Sequence, residues 1–357
     1  MSLVDDVIRY SNLWGPSGAE DEVIRTFVHD LETLGVHPHV DALGNVIAPL
    51  RQAEAGYPSL VLSAHLDEVG FVVRKIEADG YLRLHRVGGT NDRVIAGQKI
   101  RLRTDRGDVI GAVGIKAKHV SSQDELRAAI TTDDAYVDIL ATDREQAEQR
   151  GVEVGTLATF EAEAEATSTF VRGKAMDDRA GIAILLAAAR TVVEAPPGAG
   201  VTILASVQEE FNVRGGTPAM RRIDPDLALC IDIAVATDTP DLTALGDVRL
   251  GAGPVITRFT RANLNGIIPN PKLRRLIQAV AQDARIHTQN GVLQGGLTDG
   301  SFMQLEGSGI PTLDLSFPTR YTHTPIETCH IADLESVAEL ASAFAVRLQP
   351  DLDLTRG

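Results

Sequence analysis

Two short apolar runs of the sequence end in acidic residues. VTILASV is followed closely by Glu209 and Glu210, and LALCIDI carries Asp232 near its end. Runs of this length, rich in Val, Ile and Leu, are typical of buried parallel strands, whose carboxyl ends meet at one edge of the sheet. Carboxylates gathered there without matching Lys or Arg repel one another unless a cation lies between them. The pattern predicts a metal site, although a single Glu-Glu pair after a strand is more often a solvated loop.

Other histidine and acidic residues stand in comparable places. His65 and Asp67 end the apolar run of SLVLSAHLDEVG, Asp177 precedes a helical pattern, and His323 lies in the turn RYTHTPIE. Open α/β sheets place their sites at such strand ends and adjoining loops. The complete candidate set is His65, Asp67, Asp177, Glu209, Glu210, Asp232 and His323.

This set combines imidazole with carboxylate and contains no thiolate, which suits a borderline divalent ion such as Zn, Co or Mn. Two such ions need about five ligand side chains, with one carboxylate shared between them. The candidate set has seven residues, so two acids remain after five ligands are assigned. Asp67, two residues beyond His65, is placed to accept the second ring proton of that histidine. Glu209, adjacent to Glu210, is the expected general base.

Two of the acidic residues have simpler alternative explanations. Asp177 and Asp178 before a helix complement the helix dipole even without a metal. Beside the other motifs, we expect Asp177 to be a ligand and Asp178 to cap the helix. The alternative interpretation of Asp232 is a turn residue at the end of its strand. A carboxylate at the end of an apolar run nevertheless needs a buried partner.

The order of strand and helix patterns predicts an α/β fold, with a mostly parallel sheet and helices on both faces. Apolar residues at helical spacing from Val23 predict a helix that Ser17 caps and Gly35 ends. Further helices are predicted after Asp178, over PKLRRLIQAVAQDARI and over DLESVAELASAFAVRL.

From about Val69 the pattern changes to short alternating strands and glycine turns, and the α/β pattern returns at GKAMDDRAG. Within this stretch SQDELRAAI and DREQAEQRG are predicted to be helical. We therefore expect a catalytic domain made of residues 1–67 and 167–357, interrupted by an inserted β-rich domain of PDZ-like or barrel type at 68–166.

Composition limits the class of protein. The chain has 357 residues, of which 44% are hydrophobic and 23% charged, which is ordinary for a folded protein of two domains. A net charge of -15 and only 4% aromatic residues argue against nucleic acid or an anionic membrane as partner. The two cysteines, Cys230 and Cys329, lack CxxC spacing, and the N-terminus lacks a secretion signal. A cytoplasmic location is expected.

Five motifs occur in a fixed order: SAHLDEVG, GKAMDDRAG, VQEEFNVRGG, CIDIAVATDTP and RYTHTPIE, with the β-rich insertion between the first two. As a set they resemble the tetrahedral, or glutamyl-type, aminopeptidases of metallopeptidase family forty-two, which are dinuclear exopeptidases. The resemblance implies that Asp177 bridges two metal ions, that His65 and Asp232 complete one site, and that Glu210 and His323 complete the other.

The same resemblance implies further roles. Glu209 matches the general base and Asp67 its supporting acid, and the peptide bond between Asp177 and Asp178 is expected to be cis. It also implies a homo-oligomer, built as a dimer through the inserted module and assembled into a hollow tetrahedral dodecamer.

The chain departs from the family pattern at two points. Phe211 and Asn212 follow the two glutamates where Val and Gly are usual, and GGLTDGSF replaces a GGTDA-like loop. We therefore infer no glutamyl preference from the resemblance.

The function predicted is a di-metal aminopeptidase acting on peptides. One alternative is a deacylase or carboxypeptidase on the same di-metal core, which needs a basic residue for the substrate carboxylate, and Arg320 is the best candidate. The other is a non-catalytic peptide-binding relative, which would lack the base or a ligand; neither is missing from the sequence.

Overall fold

The computed structural model describes residues 2–262 and 264–356, and of Gln294 the backbone only. The chain first contributes helices and strands to a large sheet, then forms a separate barrel, and then returns to the sheet. The first segment comprises α1 (Leu3–Asn12), α2 (Asp21–Thr33), β1 (His39–Val40), β2 (Val46–Arg51) and β3 (Ser59–His65).

The second segment forms a closed barrel in the strand order β4-β5-β8-β7-β6-β9. Phe71 and Phe160 meet edge to face in its core, with ring centroids 5.3 Å apart, and this core is separate from that of the large sheet. The elements of this segment are β4 (Gly70–Ile76), β5 (Leu82–Val87), α3 (Asp92–Ile95), β6 (Lys99–Thr104), β7 (Gly107–Val113), a 3-10 turn (Lys118–Val120), β8 (Tyr136–Asp138), α4 (Arg144–Gln149) and β9 (Leu157–Phe160).

The third segment completes the large sheet and adds most of its helices. Its elements are β10 (Glu165–Ala166), β11 (Phe170–Gly173), α5 (Met176–Glu194), β12 (Gly200–Ser206), α6 (Gly216–Ile223), β13 (Leu227–Val235), β14 (Val255–Ala262), β15 (Asn265–Ile267), α7 (Pro271–Asp283), β16 (Gln289–Gln294), α8 (Gly300–Met303), β17 (Thr312–Arg320), β18 (Glu327–His330) and α9 (Ile331–Arg347).

Strand order in the large sheet is β1-β2-β12-β3-β13-β17-β18-β11-β10, with β14, β15 and β16 joined through β17. The four central strands, β12, β3, β13 and β17, are parallel. Antiparallel strands extend the sheet on both sides. The parallel arrangement of these four strands matters for function because it brings their C-terminal ends to the same edge of the sheet.

Helices cover both faces of the sheet. Successive side chains of a strand point to opposite faces, so the apolar side chains on each face need a covering layer. On β3, Leu60 and Leu62 face the core formed with α5 and α9, whereas Val61 faces Met220 of α6 and Met303 of α8. The predicted α/β architecture with a small β-rich module is confirmed. No helix in the described ranges is long and apolar enough to cross a membrane.

Two local predictions were wrong. SQDELRAAI forms turns rather than a helix, because every residue from 121 to 130 is exposed or half-buried and the stretch has no apolar face to bury. Helix α2 is not capped by Ser17: it begins at Asp21 with Glu20 in the cap position, and the Glu20 side chain makes no capping bond. The Ser17 hydroxyl instead donates to Asp67.

Candidate metal centre

The candidate residues meet at the carboxyl edge of the parallel strands. In the register of β12 and β3, Ser206 lies beside His65, the last residue of its strand. Glu209 and Glu210 follow β12 directly, and Asp232 lies near the end of β13. The strand ends therefore deliver an imidazole and three carboxylates to the same place, as the sequence pattern predicts.

Asp177 lies between the two histidines. Its Oδ1 is 3.1 Å from Nε2 of His65, and its Oδ2 is 3.3 Å from Nε2 of His323. The Thr322 hydroxyl donates to the same Oδ2 at 3.0 Å. The Asp177–Asp178 peptide bond is cis, as the resemblance implies. One carboxylate thus faces two imidazoles that approach from different elements.

Glu210 completes the group on the side of His323. Its Oε1 lies 3.1 Å from Nε2 of His323. One candidate ligand atom from each of His65, Asp177 and Glu210 lies within 4.8 Å of the others. Asp232 lines the same cleft, and its Oδ1 accepts the N–H of Ile233 at 2.6 Å.

Asp67 organises the loop that carries the two glutamates. Its Oδ1 accepts the backbone N–H of Glu209 and its Oδ2 accepts that of Glu210, both at 3.0 Å. The Ser17 hydroxyl donates to Oδ2 at 2.5 Å. Nδ1 of His65 lies 3.4 Å from Oδ1. Asp67 is therefore held in place by groups from three segments of the chain.

The sequence interpretation missed one acidic residue. The carboxylate of Glu327 accepts the backbone N–H of Asp177 at 2.9 Å and that of His323 at 2.5 Å, so it ties two candidate ligands together. Burial, followed by the charge of Asp177, raises the pKa of Glu327 to about 8. Glu327 is the last residue of the quoted motif RYTHTPIE, but its burial and its backbone contacts appear only in the structure.

The expectation that Asp178 caps its helix was wrong. Its Oδ2 accepts the backbone N–H of His65 at 3.1 Å, which fixes the end of β3 against the start of α5. A cap requires a side-chain oxygen that accepts from the first N–H groups of the helix, but Oδ2 of Asp178 is engaged with His65 and its Oδ1 accepts no hydrogen bond from the described residues.

The electrostatics of the site favour positive charge. Burial raises the pKa of Glu209 and of Asp232 well above the usual range, with further contributions from neighbouring carboxylates. Burial opposes protonation of His65 and His323, but the surrounding carboxylates raise the pKa of both imidazoles. A cluster that holds protons this strongly has an excess of negative charge at its centre.

These residues fit a divalent metal. The side chains of Asp177, Glu209 and Asp232 are more than nine-tenths buried, and no lysine or arginine pairs with them in ion-pair range among the described residues. Imidazole nitrogen and carboxylate oxygen are the donors that Zn, Co and Mn accept. A cation at the centre would offset the repulsion that otherwise raises these pKa values.

The cluster opens into a cleft of about 670 Å³. Phe211 and Asn212, the departures from the family pattern, line it, and the Phe211 side chain is 42% exposed. The barrel contributes Arg86, Gly88 and Gly89 to the same wall. Residues of the barrel and of the large-sheet part of the chain therefore line the cleft together.

A protein-family model described as M42 glutamyl aminopeptidase matches residues 44–340 of this chain. The match spans the barrel, the central sheet and all the candidate ligands. The chain belongs to the M42 aminopeptidase family.

Relatives of this M42 chain are similar over nearly their whole length. The lysyl aminopeptidase of Pyrococcus furiosus is 33% identical, and the similarity covers 96% of each chain. An aminopeptidase from the archaeon Desulfurococcus kamchatkensis has a similar structure, with a TM-score of 0.91 and 30% identity over 98% of this chain and 96% of that one. TET1 peptidase of Pyrococcus horikoshii, which assembles into a tetrahedron or a large octahedral shell, gives a TM-score of 0.86 at 29% identity, over 97% of this chain and all of that one.

Membership of the M42 family confirms the predicted activity: this chain is a metal-dependent aminopeptidase. The predicted resemblance to tetrahedral aminopeptidases is confirmed as well. The cluster of His65, Asp177 and Glu210 provides a place for a divalent ion.

Proposed function

We propose that this M42 chain removes N-terminal residues from peptides with two divalent ions, and that Glu209 is the general base. The observation that carries the proposal is the position of Asp177, whose two carboxylate oxygens face two different imidazoles at 3.1 and 3.3 Å. A carboxylate in that position can be shared by two ions, each of which also has its own ligands.

The proposed ligands divide into two sets around Asp177. His65 and Asp232 would hold one ion, and Glu210 and His323 would hold the other. Zn is the proposed ion, with Co and Mn as alternatives, because the donors are nitrogen and carboxylate oxygen without thiolate.

Divalent ions bound here would activate a water molecule and polarise the scissile carbonyl. Glu209 takes the proton of the attacking water on its carboxylate and passes it to the leaving amine. Its Oε2 lies 3.9 Å from Nε2 of His65, so the base is beside the proposed ligands without occupying their place. Burial strengthens Glu209 as a base by raising its pKa.

Asp67 keeps Glu209 in position through the backbone. Its carboxylate accepts the N–H groups of Glu209 and Glu210 in the same clamp, so the base and the neighbouring ligand cannot move independently. This accounts for a supporting acid that does not itself reach the substrate.

A zinc titration of chelator-treated protein tests the two-ion proposal. The wild type is expected to bind two ions per chain above pH 7, and Asp177→Asn is expected to lose both high-affinity sites because the shared ligand is gone. Asp353→Asn, at a surface pair with Lys272, is the control and should bind as the wild type does. A folded wild-type chain that takes up one ion or none would contradict the proposal.

We propose further that the chain forms a homo-oligomer, with a dimer contact through residues 68–166 and a tetrahedral dodecamer of such dimers. Support comes from TET1 peptidase, which assembles into a tetrahedron or a larger shell. Exposed apolar side chains on the module would be covered by a contact; they include Ile115, Val120, Leu140 and Val154. Sedimentation that finds only chains of 38.2 kDa at micromolar concentration would contradict this assembly. The cytoplasmic location stays a prediction.

A further inference from the structure

The barrel reaches one of the proposed metal ligands through its backbone. Nδ1 of His323 lies 3.1 Å from the carbonyl oxygen of Gly89, a residue 234 positions away in the chain. A carbonyl can only accept, so this contact fixes the hydrogen on Nδ1. Nε2 is then the nitrogen left free to bind, and it is the one that faces Asp177 and Glu210.

Two successive glycines allow the barrel loop to come this close. A Cβ on Gly89 would lie 3.0 Å from Nδ1 and 3.1 Å from Cε1 of the His323 ring. Gly88 has a φ of +90°, a backbone conformation that favours glycine, and a Cβ there would meet Cγ1 of Val69 at 2.9 Å and Cβ of Glu210 at 3.4 Å. The loop therefore packs against both proposed ligands of one ion.

The loop is also held from the barrel side. Strand β5 leads directly into Gly88, and Nη1 of Arg86 donates to the carbonyl of Thr90 at 3.0 Å. Asn91 then caps α3 by accepting the N–H of Arg93. A carbonyl anchored in this way cannot follow the histidine if the ring rotates, so it sets the orientation of the ring.

We propose that Gly89 is a positioning residue of the metal centre, and that the inserted barrel thereby completes the catalytic site besides any role in assembly. The inference rests on the proposed function, since it requires His323 to bind an ion. Partners that orient a metal-bound histidine typically change metal affinity by about 10–100-fold.

The test is a zinc titration against a competing chelator, with thermal unfolding of the metal-free protein measured in parallel. Gly89→Ala should weaken one of two zinc sites by about 10–100-fold and leave the other unchanged. Gly198→Ala is the matched control, because its Cβ would make only ordinary contacts, with Tyr57 at 3.6 Å and Arg51 at 3.9 Å.

A double-mutant cycle separates positioning from a general structural effect. If Gly89 acts through His323, Gly89→Ala should have no further effect on zinc affinity in a His323→Ala background. Equal weakening in both backgrounds would overturn the inference. So would a Gly89→Ala protein that binds both ions as the wild type does.

A second variant avoids steric change, should Gly89→Ala fail to fold. Replacing the Gly89–Thr90 amide by an ester, with the hydroxy-acid analogue of threonine at position 90, keeps the shape and makes the Gly89 carbonyl a weaker acceptor. The same zinc site should weaken, and unchanged affinity would overturn the inference. A wild type that binds no zinc would instead overturn the proposed function, and this inference with it.

Discussion

Arg320 forms a two-point ion pair with Asp238. Its Nε and Nη2 donate to the two carboxylate oxygens, each at 2.7 Å, and the pair holds the pKa of Asp238 below its ordinary value despite partial burial. This pair neutralises the guanidinium charge, and Arg320 is not among the described residues that line the cleft. Arg320 therefore does not provide the carboxylate-binding group that the carboxypeptidase alternative required of it.

The first prediction concerns the end from which peptides are cleaved. The cleft has an acidic surplus in Glu209 and the proposed ligand carboxylates Asp177, Glu210 and Asp232, which suits the amine of a free N-terminus. Acetylating the N-terminus of a good substrate should lower kcat/KM by at least about tenfold, since an interaction of roughly 1.5–3 kcal/mol is lost. Amidating the C-terminus should change it less than about twofold.

One peptide in three forms, followed by mass spectrometry, makes this comparison. The amidated form is the control, because it removes a terminal charge at the opposite end. Equal cleavage of the acetylated form, or loss of C-terminal residues first, would contradict the proposed direction of cleavage.

The second prediction concerns Asp67. Asp67→Asn places an amide nitrogen against the N–H of Glu209 or Glu210, so the clamp on that loop opens. We expect a decrease in turnover of about 10–100-fold with a smaller change in KM. Ser17→Ala should have a smaller effect, because it removes one hydrogen bond and keeps the charge. Steady-state kinetics of the two variants makes this comparison. A larger loss of turnover in Ser17→Ala than in Asp67→Asn would contradict the prediction.

The sequence predicted the parts of this molecule that depend on local pattern. The apolar runs that end in acids became β12 and β13, which pair in parallel with β3 on its two sides, and such burial on both faces is typical of parallel strands. Parallel pairing then brings His65, Asp232 and the two glutamates to one edge, so the positions in the site could be predicted from type and spacing.

Contacts between distant segments were not predictable in the same way. Ser17 has the residue type of a helix cap, but its hydroxyl binds Asp67, 50 residues away. Gly89 and Glu327 act through a backbone carbonyl and through backbone N–H groups, for which the sequence carries no residue-specific pattern. SQDELRAAI shows the reverse case, where local propensity favours a helix that no packing supports.

The third prediction concerns pH and stability. Asp314 is fully buried, and burial, offset in part by the Thr298 hydroxyl, raises its pKa to about 7. Because the unfolded chain ionises this acid near pH 3.8 and the folded chain near pH 7, stability decreases as pH rises across that window. The Asp314→Asn side chain cannot ionise. The variant should therefore avoid a decrease of up to about 4 kcal/mol in the free energy of unfolding.

Urea unfolding at pH 4, 6 and 8 measures this effect. The difference in unfolding free energy between Asp314→Asn and the wild type should increase in favour of the variant from pH 4 to pH 8. Asp79→Asn, in an exposed turn, is the control and should show no such trend. A difference that stays constant with pH would mean that Asp314 titrates alike in both states.

The central claim, a general base beside a two-ion site, is tested most directly by Glu209→Gln, with metal content and turnover measured on the same preparation. We predict that the variant keeps two ions per chain and loses at least about a hundredfold in kcat. Glu210→Gln, the adjacent residue, is the matched comparison and should lose an ion. If Glu209→Gln lost metal instead, or kept wild-type turnover with both ions bound, the assignment of Glu209 as the base would be contradicted.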